Sequence, residues 1–150
     1  RSLADEGAAD AGAERMDLDT LLSESDFVSI HTPLTDETQG MIGTDALKAM
    51  KQTAFLINTS RGDVIDEAAL LDALKADEIA GAALDVRTQE PPVEGDELLT
   101  LDNVIHTPHA AFYSTESLVE LRSKAANEVK RVLTGDEPIQ LVNPEYRDAG

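Results

Sequence analysis

The sequence contains no cysteine, which excludes a disulfide framework and any metal site built from thiolates. Aromatic residues make up only 3% of the chain, so a core has to be filled by Ala, Leu, Val and Ile. No apolar run approaches the roughly 20 residues of a membrane-spanning helix, and the first ten residues hold no apolar signal core. We therefore expect a cytoplasmic protein with no membrane partner.

Basic residues are also scarce, because 12 Lys and Arg stand against 30 Asp and Glu, for a net charge of -18. Phosphate binding requires clustered cations, so this charge argues against a nucleic-acid partner. The acidic excess has an ordinary interpretation, which is surface solubility, and a sharper one, which is adaptation to high salt. Salt screens the mutual repulsion of carboxylates, and both interpretations stay open at this stage.

The chain has 150 residues, enough for one domain, and its apolar pattern alternates between strand and helix. Short strands are predicted over 26–31, 54–58, 81–86 and 104–106. Helices are predicted over 17–23, over 45–51 with Thr44 as N-cap, from Asp66 to Ala76, and over 115–134 with Gly135 as the stop. Residues 2–13 are expected to form a frayed helix or a loose leader. Apolar strands alternating with helices favour an open α/β fold whose parallel sheet is covered on both faces.

Polar residues follow each predicted strand, at the edge of the sheet where ligands of open α/β folds bind. Arg61, Asp85, Glu90 and His109 are the chemically capable members of these clusters. An Arg can clamp a carboxylate with two parallel hydrogen bonds, and a His can transfer a proton near neutral pH. A carboxylate beside the imidazole can orient it and favour its protonated form. Together these groups suit chemistry on an anionic carbonyl compound.

Each of these residues also has an ordinary interpretation. An Arg after a strand is often half of a surface ion pair, and Glu90 before two prolines could be a plain loop acid. His109 could serve only as a loop hydrogen-bonding group. His106 and His109 form an H-x-x-H pair without a third ligand, so no metal site is expected. We interpret His31 and His106 as structural. The placement of the four polar groups at successive strand ends favours the functional interpretation.

Four ordered segments resemble the D-isomer-specific 2-hydroxyacid dehydrogenases. They are SDFVSIHTPLTDETQGMIG (25–43), AFLINTSRGDVIDEAALLDAL (54–74), GAALDVRTQEPP (81–92) and NVIHTPHAAFYSTES (103–117). The resemblance runs from about residue 13 to about residue 143. It implies an NAD-dependent oxidoreductase that transfers a hydride between NAD(H) and a small 2-oxoacid or D-2-hydroxyacid.

The resemblance also implies roles for individual residues. The family's catalytic Arg, in its N-x-x-R-G motif, matches Arg61, which would bind the substrate carboxylate and carbonyl oxygen. The catalytic Glu and His match Glu90 and His109. His109 would protonate the carbonyl oxygen, and Glu90 would tune the protonation of His109. Asp85 matches the acid that holds the nicotinamide carboxamide. The other positions that the resemblance assigns to the cofactor are Thr32, Thr59, Ser60, Ala110 and Ala111, together with Arg61 and His109.

The chain departs from the family pattern because it holds no G-x-G-x-x-G loop, and this loop cradles the pyrophosphate. We therefore expect a partial Rossmann-like, doubly wound parallel sheet that lacks the first βαβ unit. Residues 1–135 would be the C-terminal part of an NAD-binding domain, and 136–150 a tail returning to an absent substrate domain. Such a fragment is expected to be inactive alone.

Other interpretations remain open. A corepressor-like NAD-binding module that interacts with proteins is the main alternative, since the segment from His109 to Ser114 resembles that branch. Formate dehydrogenase shares the fold but pairs Gln with His, and an inactive acidic binding fragment is a further candidate. NADP is not excluded, because the residue that distinguishes the two cofactors is absent. The full-length protein is expected to be a homodimer.

Overall fold

A computed structural model describes residues 5–139 and 141–143 of this chain. It divides into two compact units, residues 1–111 and 112–150. The first unit holds helices α1 (Asp5–Asp10), α2 (Leu18–Glu24), α3 (Thr44–Ala49) and α4 (Glu67–Lys75), and strands β1 (Phe27–Ile30), β2 (Phe55–Asn58), β3 (Gly81–Leu84) and β4 (Val104–His106). Two 3-10 helices, Gly62–Val64 and Glu97–Thr100, lie between them, and the second unit holds helix α5 (Thr115–Leu133).

The four strands form one parallel sheet in the order β1-β2-β3-β4, as the alternation of strands and helices predicts. Short connections cannot join parallel neighbours, so α3 and α4 fall within the crossovers. The carboxyl ends of all four strands consequently meet at one edge of the sheet. None of the described helices is both long and apolar enough to cross a membrane.

One face of the sheet is buried under α2, α3 and α4, and along β1 and β2 buried residues alternate with more exposed ones. Val28, Ile30 and Leu56 belong to the buried core. The helices contribute leucines to the same core, namely Leu22, Leu47, Leu70 and Leu74. Removing such side chains from water supplies about 1.5 to 3 kcal/mol each, which is how a chain with few aromatics builds a core.

The opposite face of the sheet differs from the expectation that helices cover both sides. Phe27 and Ile105 on this face are 69% and 68% exposed. Phe55 stacks on Phe27, with ring centroids 5.7 Å apart, and is 42% exposed. Alternation along a strand sends every second side chain to this face, but only a neighbouring element can bury it.

The predicted helix boundaries hold at two of the three ends that involve a cap. Asp66 caps α4, since its carboxylate accepts the backbone N–H groups of Ala68 and Ala69. Gly135 follows α5 with φ 85°, a conformation that glycine adopts without strain. The predicted N-cap Thr44 is wrong: α3 begins at Thr44, and Gly43 is the cap without a side-chain bond. The backbone turns one residue earlier because the Gly43 carbonyl already accepts from Leu47 at 3.0 Å.

The two predicted ends of the chain fall partly outside the described residues. Residues 2–4 of the expected leader lie outside them, whereas residues 5–10 form α1. Of the predicted tail, residues 140 and 144–150 lie outside the described part.

Candidate active site

Arg61 follows β2 on a tight turn that the side chain of Asn58 holds together. Asn58 is completely buried, and its Nδ2 donates to the carbonyl oxygen of Arg61 at 2.9 Å. Its Oδ1 accepts the backbone N–H of Ser60 at 3.0 Å and the Ser60 hydroxyl at 2.9 Å. A buried amide requires such partners, so the turn has one favoured geometry. Arg61 therefore leaves the sheet at its carboxyl edge with an exposed side chain.

The residue after Arg61 has to be glycine because the backbone of another loop passes directly against it. A Cβ on Gly62 would lie 2.0 Å from the carbonyl carbon of Arg87 and 2.2 Å from the backbone nitrogen of Thr88. Neither backbone atom can move aside without moving its loop. Gly62 thus lets the turn that carries Arg61 approach the loop that carries Glu90.

Glu90 and His109 form a hydrogen-bonded pair between two loops. Oε2 of Glu90 lies 2.7 Å from Nδ1 of His109, and Oε1 accepts the backbone N–H of Arg87 at 2.9 Å. The bond with His109, followed by the bond from Arg87, lowers the pKa of Glu90 below its usual value, so this carboxyl is ionised at neutral pH. An anion at Nδ1 holds the imidazole ring in one orientation. Both side chains remain open to solvent, at 44% exposure for His109 and 38% for Glu90.

Asp85 anchors the loop that carries His109. Its carboxylate is 5% exposed and accepts the backbone N–H groups of Ala110 at 2.8 Å and Ala111 at 2.9 Å, as well as the hydroxyl of Thr107. Burial raises the pKa of Asp85, but these three hydrogen bonds outweigh burial and the pKa falls below its usual value. The loop needs such an anchor because His109 has φ 51°, an uncommon backbone conformation for a residue with a Cβ.

The structure brings the three predicted catalytic residues together. Arg61, Glu90 and His109 line one cavity of about 200 Å³ at the carboxyl edge of the sheet. The guanidinium of Arg61, which can bind an anion, and the imidazole of His109, which is hydrogen-bonded to Glu90, therefore line the same cavity. This combination can hold a small carboxylic acid and exchange a proton with it.

The predicted cofactor residues outside the catalytic three fall into two groups. Thr32, Thr59 and Ser60 line a second cavity of about 570 Å³, which shares Arg61 with the first. Ala110 and Ala111 instead direct their N–H groups at Asp85, so their part in the structure is to fix the His109 loop.

The other two histidines bond within the protein. His106 Nε2 lies 3.0 Å from the carbonyl oxygen of Leu98, and His31 Nε2 lies 2.8 Å from the Ser29 hydroxyl. Within residues 5–139 and 141–143, no three His, Asp or Glu side chains gather as a metal site would require.

Three residues that shape the site were not singled out by sequence reasoning. Asn58 and Gly62 belong to the N-x-x-R-G motif, and the motif could have suggested them, because glycine next to a functional residue often marks a close backbone approach. Arg87 had no sequence signal: an Arg three residues before a Glu in a loop is an ordinary pattern.

Comparison with known proteins gives a consistent result. Residues 1–111 match the family model described as D-isomer specific 2-hydroxyacid dehydrogenase, NAD binding domain. A glyoxylate reductase from Korarchaeum cryptofilum is 50% identical over 134 residues, which are 89% of this chain and 40% of that protein.

Two solved structures show the same Rossmann-like α/β fold. The NAD complexed form of a D-isomer specific 2-hydroxyacid dehydrogenase from Lactobacillus delbrueckii ssp. bulgaricus has a TM-score of 0.81 at 34% identity, covering 95% of this chain and 46% of that one. A D-lactate dehydrogenase from Aquifex aeolicus, complexed with NAD and lactic acid, has a TM-score of 0.81 at 34% identity, covering 91% and 45%. This chain therefore spans less than half the length of each of the three relatives.

Proposed function

Since this chain belongs to the D-isomer specific 2-hydroxyacid dehydrogenase family, we propose that it is the C-terminal part of the nucleotide-binding domain of an NAD-dependent oxidoreductase. The reaction would interconvert a small 2-oxoacid and its D-2-hydroxyacid. The family predicted from the four motifs is confirmed. The relatives found are named as reductases and dehydrogenases, so the corepressor-like alternative is not favoured.

The single observation that carries the proposal is the Glu90–His109 pair, 2.7 Å apart, which lines the same cavity as Arg61. Arg61 would bind the carboxylate of the oxoacid, because a planar guanidinium matches its two oxygens. With Glu90 at Nδ1, His109 would donate a proton from Nε2 to the carbonyl oxygen and take it back in the reverse direction. General acid–base groups of this kind contribute roughly 100- to 10,000-fold to the rate.

The second cavity fits a cofactor that carries hydroxyl and amide groups. Thr32 Oγ1 is buried and has no hydrogen-bond partner within the described residues, and a buried hydroxyl without a partner is costly. Thr32, Thr59, Ser60 and Arg61 would hold the dinucleotide there, with Asp85, Ala110 and Ala111 beside the nicotinamide. NAD, when bound, supplies or accepts the hydride. NADP stays an alternative.

The cavity and the relatives both support a small acid as the substrate. A space of about 200 Å³ suits an acid of a few carbon atoms, and the Korarchaeum relative is named a glyoxylate reductase. We propose glyoxylate or a similarly small 2-oxoacid as the substrate, in a protein that also carries the rest of its relatives' length. There, residues 1–135 would belong to the nucleotide-binding domain, 136–150 would return towards the substrate domain, and two copies would associate as a homodimer.

The experiment that tests this function measures NADH oxidation with a panel of 2-oxoacids in the protein extended to the length of its relatives. Arg61→Lys should raise KM more than it lowers kcat, because Lys cannot form the two-pronged clamp. Arg122→Lys is the matched control, since Arg122 is exposed on α5. His109→Ala should lower kcat by at least about 100-fold without lost folding, as thermal unfolding would verify. Wild-type protein that reduces no 2-oxoacid would refute the proposed function.

A further inference from the structure

Arg87 is the only cation among the buried residues of the described part of the chain, and the proposed reaction gives it no task. Its side chain is 6% exposed. Nε and Nη2 donate to the two carboxylate oxygens of Glu67 at 2.9 and 3.0 Å, and Nη2 also donates to Asp96 at 2.7 Å. We call Arg87, Glu67 and Asp96 the Arg87 ion network.

The members of this network come from three separate elements. Glu67 begins α4, Asp96 caps the 3-10 helix Glu97–Thr100, and Arg87 lies on the loop after β3. Burial lowers the pKa of Arg87, but its hydrogen bonds and charge interactions with Glu67 and Asp96 outweigh burial and raise the pKa. The guanidinium therefore stays charged and ties the loop to both helices.

The same loop is fixed at two further points. The backbone N–H of Thr88 donates to Oε1 of Glu67 at 2.8 Å, so this carboxylate binds both the side chain of Arg87 and the main chain after it. On the other side, the backbone of Gly62 leaves no room even for a Cβ against Arg87. The position of the Arg87 main chain is consequently determined from both sides.

The Arg87 main chain in turn contacts Glu90. Its N–H donates to Oε1 of Glu90 at 2.9 Å, while Oε2 of the same carboxylate lies 2.7 Å from Nδ1 of His109. The Glu90 side chain is 38% exposed, and the two bonds to its carboxylate, from the Arg87 backbone and with His109, fix its orientation between the two loops. We propose that the Arg87 ion network is a positioning device, which holds the loop over 87–90 so that Glu90 stays against His109.

A merely stabilising ion pair would leave the Glu90–His109 contact unchanged once the protein is folded. A positioning network makes a different prediction, because loss of its charge frees the loop and the contact with it. The effect on the Glu90–His109 contact concerns only this chain's own residues. Its effect on catalysis rests on the proposed function.

The contact can be observed at His109 directly. The chain has three histidines, so their ring nitrogens are separable by ¹⁵N NMR without substrate or cofactor. An acceptor at Nδ1 favours the neutral tautomer that carries its proton on Nδ1. Wild type should show this tautomer at His109, and Glu90→Ala should shift the population to the Nε2-protonated form.

The test variant is Arg87→Met, which keeps an apolar stem of similar shape and removes the charge. Lys75→Met is the matched control. Lys75 pairs with Glu97 and so joins the same two helices, but this pair is exposed and Lys75 lies at the end of α4 opposite to Glu67. Arg87→Met should shift the His109 tautomer towards that of Glu90→Ala, and Lys75→Met should leave it as in wild type.

A second variant keeps the test decisive if Arg87→Met does not fold. Glu67→Gln retains the size of the side chain but replaces the carboxylate that binds the Arg87 guanidinium with a neutral amide. It should shift the His109 tautomer partially in the same direction. In the protein extended to its relatives' length, either variant should lower kcat for oxoacid reduction by about 10- to 100-fold with little change in KM, as a displacement near 1 Å does.

An unchanged His109 tautomer in the folded variants would overturn the proposal, as would an equal shift in Lys75→Met. These outcomes do not depend on turnover. Should the wild-type protein reduce no 2-oxoacid, the proposed function fails, but the tautomer still decides whether the network positions Glu90.

Discussion

The substitution Gly62→Ala tests how two loops are brought together at the site. The added Cβ would lie 2.0 Å from the carbonyl carbon of Arg87 and 2.3 Å from its oxygen. To reach the 3.4 Å at which ordinary contact begins, that carbon has to retreat by roughly 1.4 Å, and displacements near 1 Å cost about 100-fold in catalysis. Both atoms belong to the backbone, so the loop carrying Glu90 has to move away from Arg61.

The same crowding should also lower stability. Inserting a methyl group into a well-packed region costs about 1 to 3 kcal/mol, and Gly62 is buried against the backbone of Arg87 and Thr88. Gly62 has no positive φ, so no backbone strain of the alanine itself adds to this cost.

Two assays separate these effects. Urea unfolding gives the change in the free energy of unfolding, and steady-state kinetics in the protein extended to its relatives' length give kcat/KM for 2-oxoacids. Gly43→Ala is the matched control, because a Cβ there meets only one oxygen, at 3.4 Å, and has an ordinary φ. If Gly62→Ala unfolds at the same urea concentration as Gly43→Ala and keeps full kcat/KM, the close approach of the two loops contributes neither to stability nor to catalysis.

Three further predictions concern charge. Glu90→Gln keeps the shape of the partner of His109 but removes the negative charge at Nδ1, so the pH profile of oxoacid reduction should change; an identical pH profile would make Glu90 an ordinary loop acid. The pKa of Asp85 is lowered from its usual 3.8, so ionised Asp85 stabilises the fold above pH 3.8, and this stabilisation is lost as the pH falls through the lowered pKa. Asp85→Asn should therefore make the free energy of unfolding depend less on pH in the acid range. A difference from wild type confined to neutral pH would contradict this. At a net charge of -18, the melting temperature should rise from low salt to molar KCl, where the Debye length is about 3 Å, and a flat or falling curve would count against adaptation to high salt.

The sequence alone was sufficient for the order and type of the main elements and for the parallel sheet. These follow from local periodicity, since apolar runs of strand length and apolar stripes of helical spacing are properties of neighbouring residues. The strand ends then placed Arg61, Glu90 and His109 at one edge, because parallel strands share their carboxyl side. The motif spacing added the family, which the comparisons confirm.

Only the tertiary structure shows which residues hold that edge in shape. Gly62 meets Arg87 across 25 positions of sequence, and Asp85 binds the amides of Ala110 and Ala111 across a similar span. The Arg87 ion network likewise joins elements with no common local pattern. Propensity and periodicity describe a chain over a few residues, whereas steric exclusion and buried charge pairing depend on what the fold places opposite each atom. The motifs therefore predict which chemical groups the site contains, but contacts between loops distant in sequence determine where these groups lie.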